Sequence, residues 1–183
     1  MSSSQYHYTR SIDVQQVSLS GVGDCSVWEF SGHDNYYMVY DHFIGNSNCI
    51  HVVMFSLADS ISAQISQVTF WLTFLQSRIP PVEPLGDSGR SHKPAYVMLV
   101  ATHADTCRSR GAGQTDKNLE EVRHVVEQKF GHVFTLENKI LMIDANVAGS
   151  QEIKTLKNLL QQRKQQMIEV RQNTFPWRTY LRY

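Results

Sequence analysis

The chain has 183 residues, with 17 Lys+Arg balanced by 17 Asp+Glu, so the formal net charge is zero at pH 7. That length is enough for one domain with a full core, and the balanced charge removes the simple electrostatic case for a nucleic-acid partner. No stretch reaches the ~18 apolar residues of a membrane span, and the start, Met1-Ser2-Ser3-Ser4-Gln5, lacks the apolar core of a signal peptide.

Cys25, Cys49 and Cys107 are odd in number, widely spaced and without a Cys-x-x-Cys pair, which predicts reduced thiols in a cytoplasmic protein. None has metal-ligand spacing to a histidine.

Ile12 to Leu19 alternates apolar and polar residues and predicts an edge or half-buried strand. Gly21-Val22-Gly23-Asp24 is turn chemistry, and Cys25 to Phe30 predicts the second strand of a hairpin. Gly32-His33-Asp34-Asn35 breaks the pattern, and Tyr36 to Phe43 has the length of a short helix. Cys49 to Leu57 is a nearly continuous apolar run, as expected of a strand covered on both faces. Asp59 or Ser60 caps a predicted helix from Ile61 to Arg78, whose Ile61, Ile65, Val68, Leu72 and Leu75 recur at core-facing spacing. Pro80-Pro81 stops it, and Pro84 to Lys93 reads as a polar loop.

Tyr96 to Ala101 predicts a second buried strand, followed by a loop from Arg108 to Gln114. A helix from about Asp116 to Phe130 places Leu119, Val122, Val126 and Phe130 in register. Lys139 to Asp144 predicts a third buried strand, and Ser150 or Gln151 opens a last helix to about Gln172. A hairpin followed by alternating strands and helices predicts an α/β fold, with a mostly parallel sheet and helices on both faces. Residues 1–172 are expected to form this domain, and 173–183 a tail without pattern.

Ligands of such sheets sit beyond the carboxyl ends of the strands. Three stretches fall there: Glu29-Phe30-Ser31-Gly32, Thr102-His103-Ala104-Asp105 and Asp144-Ala145-Asn146. An ionised Asp105 offers two acceptor oxygens and no donor, which matches paired N–H donors such as those of guanine's Watson–Crick edge. The plainer alternative is a helix cap. Asp144-Ala145-Asn146 is either a turn whose backbone closes over a base or an ordinary strand-to-helix turn. Glu29 with Gly32 suits a hydrated Mg²⁺ beside a phosphate, or else a tight turn with an exposed acid. Thr9 is a candidate metal-ligating hydroxyl or a plain loop residue.

Taken together, these blocks resemble one family, the Roc (Ras of complex proteins) GTPase-like domain of death-associated protein kinases. Val27-Trp28-Glu29-Phe30-Ser31-Gly32 looks like the Asp-x-x-Gly element of small GTPases. Leu99-Val100-Ala101-Thr102-His103-Ala104-Asp105 is similar to the guanine-specificity element, and Asp144-Ala145-Asn146 stands at the Ser-Ala-Lys element. Thr9-Arg10-Ser11-Ile12-Asp13-Val14 resembles switch I and its following strand. Ile50 to Leu57, Phe70 to Leu75 and Gly149-Ser150 add to the match, which covers about residues 8 to 170.

The resemblance implies a P-loop NTPase-like fold that binds GTP or GDP with Mg²⁺. By it, Thr102, His103, Asp105, Asp144, Ala145, Asn146 and Gly32 contact the nucleotide, Thr9 and Glu29 the metal, and His33 stands at the water-orienting position. The parent would be a cytoplasmic, cytoskeleton-associated Ser/Thr kinase of apoptosis signalling, a ROCO protein with ankyrin-repeat and COR-type neighbours and scope for a homodimer. Two departures matter. The G-x-x-x-x-G-K-[ST] loop is absent, so the first strand, phosphate loop and first helix of the family are missing, as in a fragment or truncated isoform. Three or four lost charge-assisted bonds would cost roughly 5–10 kcal/mol of nucleotide affinity. Glu29 also replaces the family's aspartate, and His33 its glutamine. Slow hydrolysis is expected of the parent and none of this chain. The missing strand predicts an unpaired sheet edge with exposed apolar surface. The alternative function is a nucleotide-independent interaction or dimerisation module with a Roc-like fold.

Overall fold

The structure is a computed structural model and describes residues 11–40, 43–44, 49–79, 94–107 and 112–174. Ile12–Leu19 (β1) and Gly23–Phe30 (β2) pair antiparallel, Ile12 opposite Phe30 and Leu19 opposite Gly23. Gly21 and Gly23 both lie at positive φ (86° and 80°), a backbone region open to glycine at no steric cost, which lets the chain reverse there. A 3₁₀ turn, Asp34–Tyr36, leads into one helical turn, Tyr37–Tyr40 (α1).

Ile50–Ser56 (β3), Tyr96–Thr102 (β4), Thr135–Leu136 (β5) and Leu141–Met142 (β6) form a separate parallel sheet. β4 is its centre, pairing β3 on one edge and β5 and β6 on the other. The helices Ile61–Gln76 (α2) and Ala112–Phe130 (α4) cover one face. There Val68, Leu72 and Leu75, with Val122, Val126 and Phe130, meet Val53, Phe55, Val97, Leu99 and Ala101. Gln151–Thr174 (α5) covers the other face, packing Ile153, Leu156 and Leu159 on Tyr96, Met98, Val100, Leu141 and Ile143. The α/β class, the parallel sheet and the helices on both faces all agree with the sequence pattern.

Several details differ from it. The hairpin is a sheet of its own rather than an extension of the parallel one. It is held at two ends. Ser31 N–H donates to Ser11 O (2.9 Å) and the Tyr40 hydroxyl reaches Ser31 O at its base. Lys164 Nζ on α5 donates to Val22 O (3.0 Å) and Asp24 O (2.7 Å) at its tip. The apolar run through β3 is fully covered on one face, where Val53 and Phe55 are buried, and only partly on the other, where Ile50 is half-buried but Val52 is 42% and Met54 58% exposed. On that face α5 packs over β4, β6 and Ile50, and among the described residues no strand pairs the outer edge of β3.

Ser60 Oγ caps α2 by accepting from Ala63 N–H (3.3 Å). The helix ends at Gln76, two residues early, because Ser77 Oγ takes Phe74 O (2.8 Å) and Arg78 N–H tightens back to Leu75 O (3.1 Å). The prolines at 80 and 81 and the loop to Lys93 lie outside the described residues, as do Thr9 and the tail beyond 174. α4 starts at Ala112 rather than near Asp116. The predicted strand from Lys139 to Asp144 shrinks to two residues, with the short β5 beside β4 unforeseen.

Candidate functional site

β4 runs buried from Tyr96 to Ala101 and surfaces at Thr102. His103 then takes φ +59°, a left-handed conformation uncommon for a residue with a Cβ. That twist turns the chain abruptly into the single turn Ala104–Cys107 (α3), whose Thr106 N–H and Oγ1 both donate to His103 O (3.1 and 2.7 Å).

The His103 ring is held from behind. Thr102 Oγ1 donates to Phe55 O (3.2 Å) and lies 3.0 Å from His103 Nδ1, and Ser56 Oγ lies 3.2 Å from the same nitrogen. Both hydroxyls thus lie within hydrogen-bond reach of one ring nitrogen and set the orientation of the imidazole. Ser56 was not singled out by sequence reasoning. Its signal was available, since it ends β3 directly opposite Thr102 in the parallel register.

Asp105 lies in the first turn of α3, exposed, and no described residue bonds to its carboxylate. The loop whose turn it would cap on the plainer reading begins at 108, outside the described residues. Beside it, Ile143 N–H donates to Ala101 O (2.7 Å) and Ala104 N–H donates to Ile143 O (3.3 Å), which brings the 144–146 turn against the 102–105 turn. Asp144 Oδ1 accepts from Asn146 N–H (3.0 Å) in an Asx turn, and Ser150 Oγ accepts from Ile153 N–H (3.2 Å) to start α5. Ala145 and Asn146 are exposed.

The structure thus gathers Thr102, His103, Asp105, Asp144, Ala145 and Asn146 at one end of the parallel sheet. Glu29, Gly32 and His33 belong to the end of the hairpin and its following turn instead. All three are exposed, and a Cβ added at Gly32 would meet nothing within 4 Å. Among the described residues, therefore, nothing makes the close backbone approach that would require glycine there. Among the described residues no group of three or more His, Cys, Asp or Glu is placed to hold a metal ion.

Cys49 and His51 also lie close, Sγ 3.3 Å from Nε2. Burial pushes the Cys49 thiol up to about 11, so it stays protonated at neutral pH and offers neither a thiolate nucleophile nor a ready metal ligand.

No family model matches the chain. The chain is similar to part of a death-associated protein kinase. One such relative is "Death-associated protein kinase dapk-1" of Caenorhabditis elegans, 35% identical over 154 residues, which are 82% of this chain and 11% of that protein. The chain therefore spans about a tenth of the length of its curated relative. Among the described residues no helix is long and apolar enough to cross a membrane.

Proposed function

We propose that this chain is a Roc-type regulatory piece of a death-associated protein kinase, and that the paired turns at 102–105 and 144–146 bind the guanine of GTP or GDP. The observation that carries the reading is Asp105: a carboxylate standing exposed, without a described partner, where a fully buried strand ends. An ionised carboxylate in that position accepts two parallel N–H donors, and guanine's N1–H and N2–H are such a pair. Adenine lacks the N1–H, so the same group discriminates between the bases. Thr102 and the fixed ring of His103 form the floor of that turn, and the backbone of Ala145 and Asn146 its neighbour. Glu29 and Gly32 serve the Mg²⁺ and phosphate side only if the hairpin is completed by residues beyond this chain. The kinase activity, the apoptotic signalling and the cytoplasmic, cytoskeletal setting are those of the longer protein.

A fluorescent GDP titration with Mg²⁺, competed by GTP and by ATP, tests this. The expected result is weak saturable binding that GTP displaces and ATP does not. Asp105→Asn should weaken it by about ten- to a hundredfold, the worth of one charge-assisted hydrogen bond at ~1.5–3 kcal/mol. No binding at several hundred micromolar protein overturns the nucleotide reading for this chain. The second reading, a nucleotide-independent interaction module, would then stand on the exposed apolar positions Val52 and Met54 of β3.

A further inference from the structure

The β1–β2 hairpin stands apart from the parallel sheet, and no strand ladder joins the two. Between Ile12 and Phe30 only Val22 is buried, and it sits at the tip. The tip is tied down there by one side chain of α5. Lys164 Nζ donates to Val22 O (3.0 Å) and to Asp24 O (2.7 Å), the carbonyls on either side of Gly23. An ammonium has three donors on a flexible stem, and a bond from a charged donor is roughly twice as strong as a neutral one. Gly23 is fitted to this approach. Its φ is +80°, and a Cβ there would stand 3.3 Å from Lys164 Nζ, tighter than ordinary contact.

The helix that carries the ammonium is itself fixed. Arg163, the residue before it, bonds Glu137 Oε2 (3.3 Å) and lies over the Tyr96 ring, which holds this stretch of α5 on the parallel sheet. The other end of the hairpin has the features of a pivot. Ser11, just ahead of β1, lies at φ +65°, in the left-handed region that residues with a Cβ seldom take. The Tyr40 hydroxyl reaches both Ser11 O (3.3 Å) and Ser31 O, which gathers the two chain ends of the hairpin at one point. Ile12 and Phe30 pack against the main core there. From that point to the tip runs one uninterrupted ladder, from Ile12 opposite Phe30 to Leu19 opposite Gly23. We propose that Lys164 is a conformational latch: the hairpin is a stiff lever pivoted at Ser11 and Ser31, and this one ammonium holds its tip against α5. When the ammonium lets go, the hairpin swings as a unit and Val22 comes out into water. The inference is independent of nucleotide binding.

Backbone ¹⁵N relaxation of the 183-residue chain tests it. In the wild-type chain the amides of Ile12–Phe30 should be as ordered as those of β4, with order parameters of about 0.85. Lys164→Met keeps much of the side chain's length and removes its donors. It should lower the order parameters across the whole hairpin, to about 0.6 at the tip, or give relaxation dispersion confined to the hairpin where the swing is slower. β4 and α4 should keep their values. Lys164→Arg, which still donates, should restore most of the order. A wild-type hairpin already more mobile than β4 overturns the proposal, and so does a hairpin that Lys164→Met leaves unchanged by both measures. A loss of order that spreads into β4 overturns it too, since Lys164 would then support the fold as a whole rather than latch one part of it.

Discussion

β3 and β4 lie side by side in one parallel sheet and read almost alike in sequence, yet they are covered to different extents. Every residue of β4 from Tyr96 to Ala101 is buried. On β3 only Val53 and Phe55 are buried, and the opposite face shows Val52 and Met54 to solvent. The difference lies in the neighbours. β4 has a strand on each edge and a helix layer on each face, whereas among the described residues β3 has one paired edge, and on its second face only Ile50 joins the core under α5. An apolar run therefore states that a strand is compatible with cover on both faces. It does not state that both covers are present in the chain.

Two methionines on the same face of the sheet make this comparison measurable. Met98 of β4 is 0% exposed, and Met54, one strand over, is 58% exposed. Met98→Ala should cost about 2–5 kcal/mol of unfolding free energy, because the cavity it leaves is walled by Leu141, Ile143 and α5. Met54→Ala should stay within about 0.5 kcal/mol, as at other surface positions. Denaturant titration of both variants reads the contrast directly. Equal costs would mean that something covers β3 in solution, and the two strands would no longer differ.

The same contrast explains what was legible from sequence. Local patterns held where local chemistry decides: the hairpin strands, the Ser60 cap, the core positions Val68, Leu72, Leu75, Val122, Val126 and Phe130. The meeting of the 102–105 and 144–146 turns was also legible, because both close parallel strands at their carboxyl ends, and Ile143 bonds across the gap. Features set by long-range packing were not. The anchoring of the hairpin tip by Lys164 spans 140 residues of sequence, and β5 is too short to show a period. The left-handed turn at His103 follows from how the chain leaves β4 to meet Ile143. Glu29 and Gly32 were expected, like Asp105, at the carboxyl end of a strand in one common sheet, but their hairpin is joined to the rest through side chains rather than a strand ladder, and no residue pattern encodes that.

The amino end of β4 offers a second, smaller contrast. Tyr96 donates its hydroxyl to Glu137 Oε2, and Arg163 of α5 bonds the same oxygen (3.3 Å) and lies over the Tyr96 ring (4.3 Å to its centre). Burial, reinforced by the Glu137 carboxylate, pushes the Tyr96 hydroxyl up to about 12. A phenol whose folded value is raised contributes stability fully below the ordinary value near 10. That contribution drains away as pH climbs through 12. Unfolding free energy should therefore fall between pH 10 and 12, and Tyr96→Phe should flatten much of that fall. An unchanged slope in the variant would show that other groups carry the alkaline loss.

The smallest expected effect on stability is the most telling about β3. Met54→Lys puts a charge on the exposed face of an edge strand, the device by which natural sheets keep their edges from pairing with other chains. Its long apolar stem can still lie along Val52 while the ammonium stays in water, so the unfolding midpoint should hardly move. What should change is the rate of turbidity growth at raised temperature and protein concentration, which is expected to drop. Ile50 to Ser56 holds seven residues with no formal charge and no proline, the composition of a segment that pairs with its like when an edge is open. If turbidity grows as fast in the variant as in the parent chain, association does not run through β3. Its open edge would then be a geometric fact without a chemical consequence.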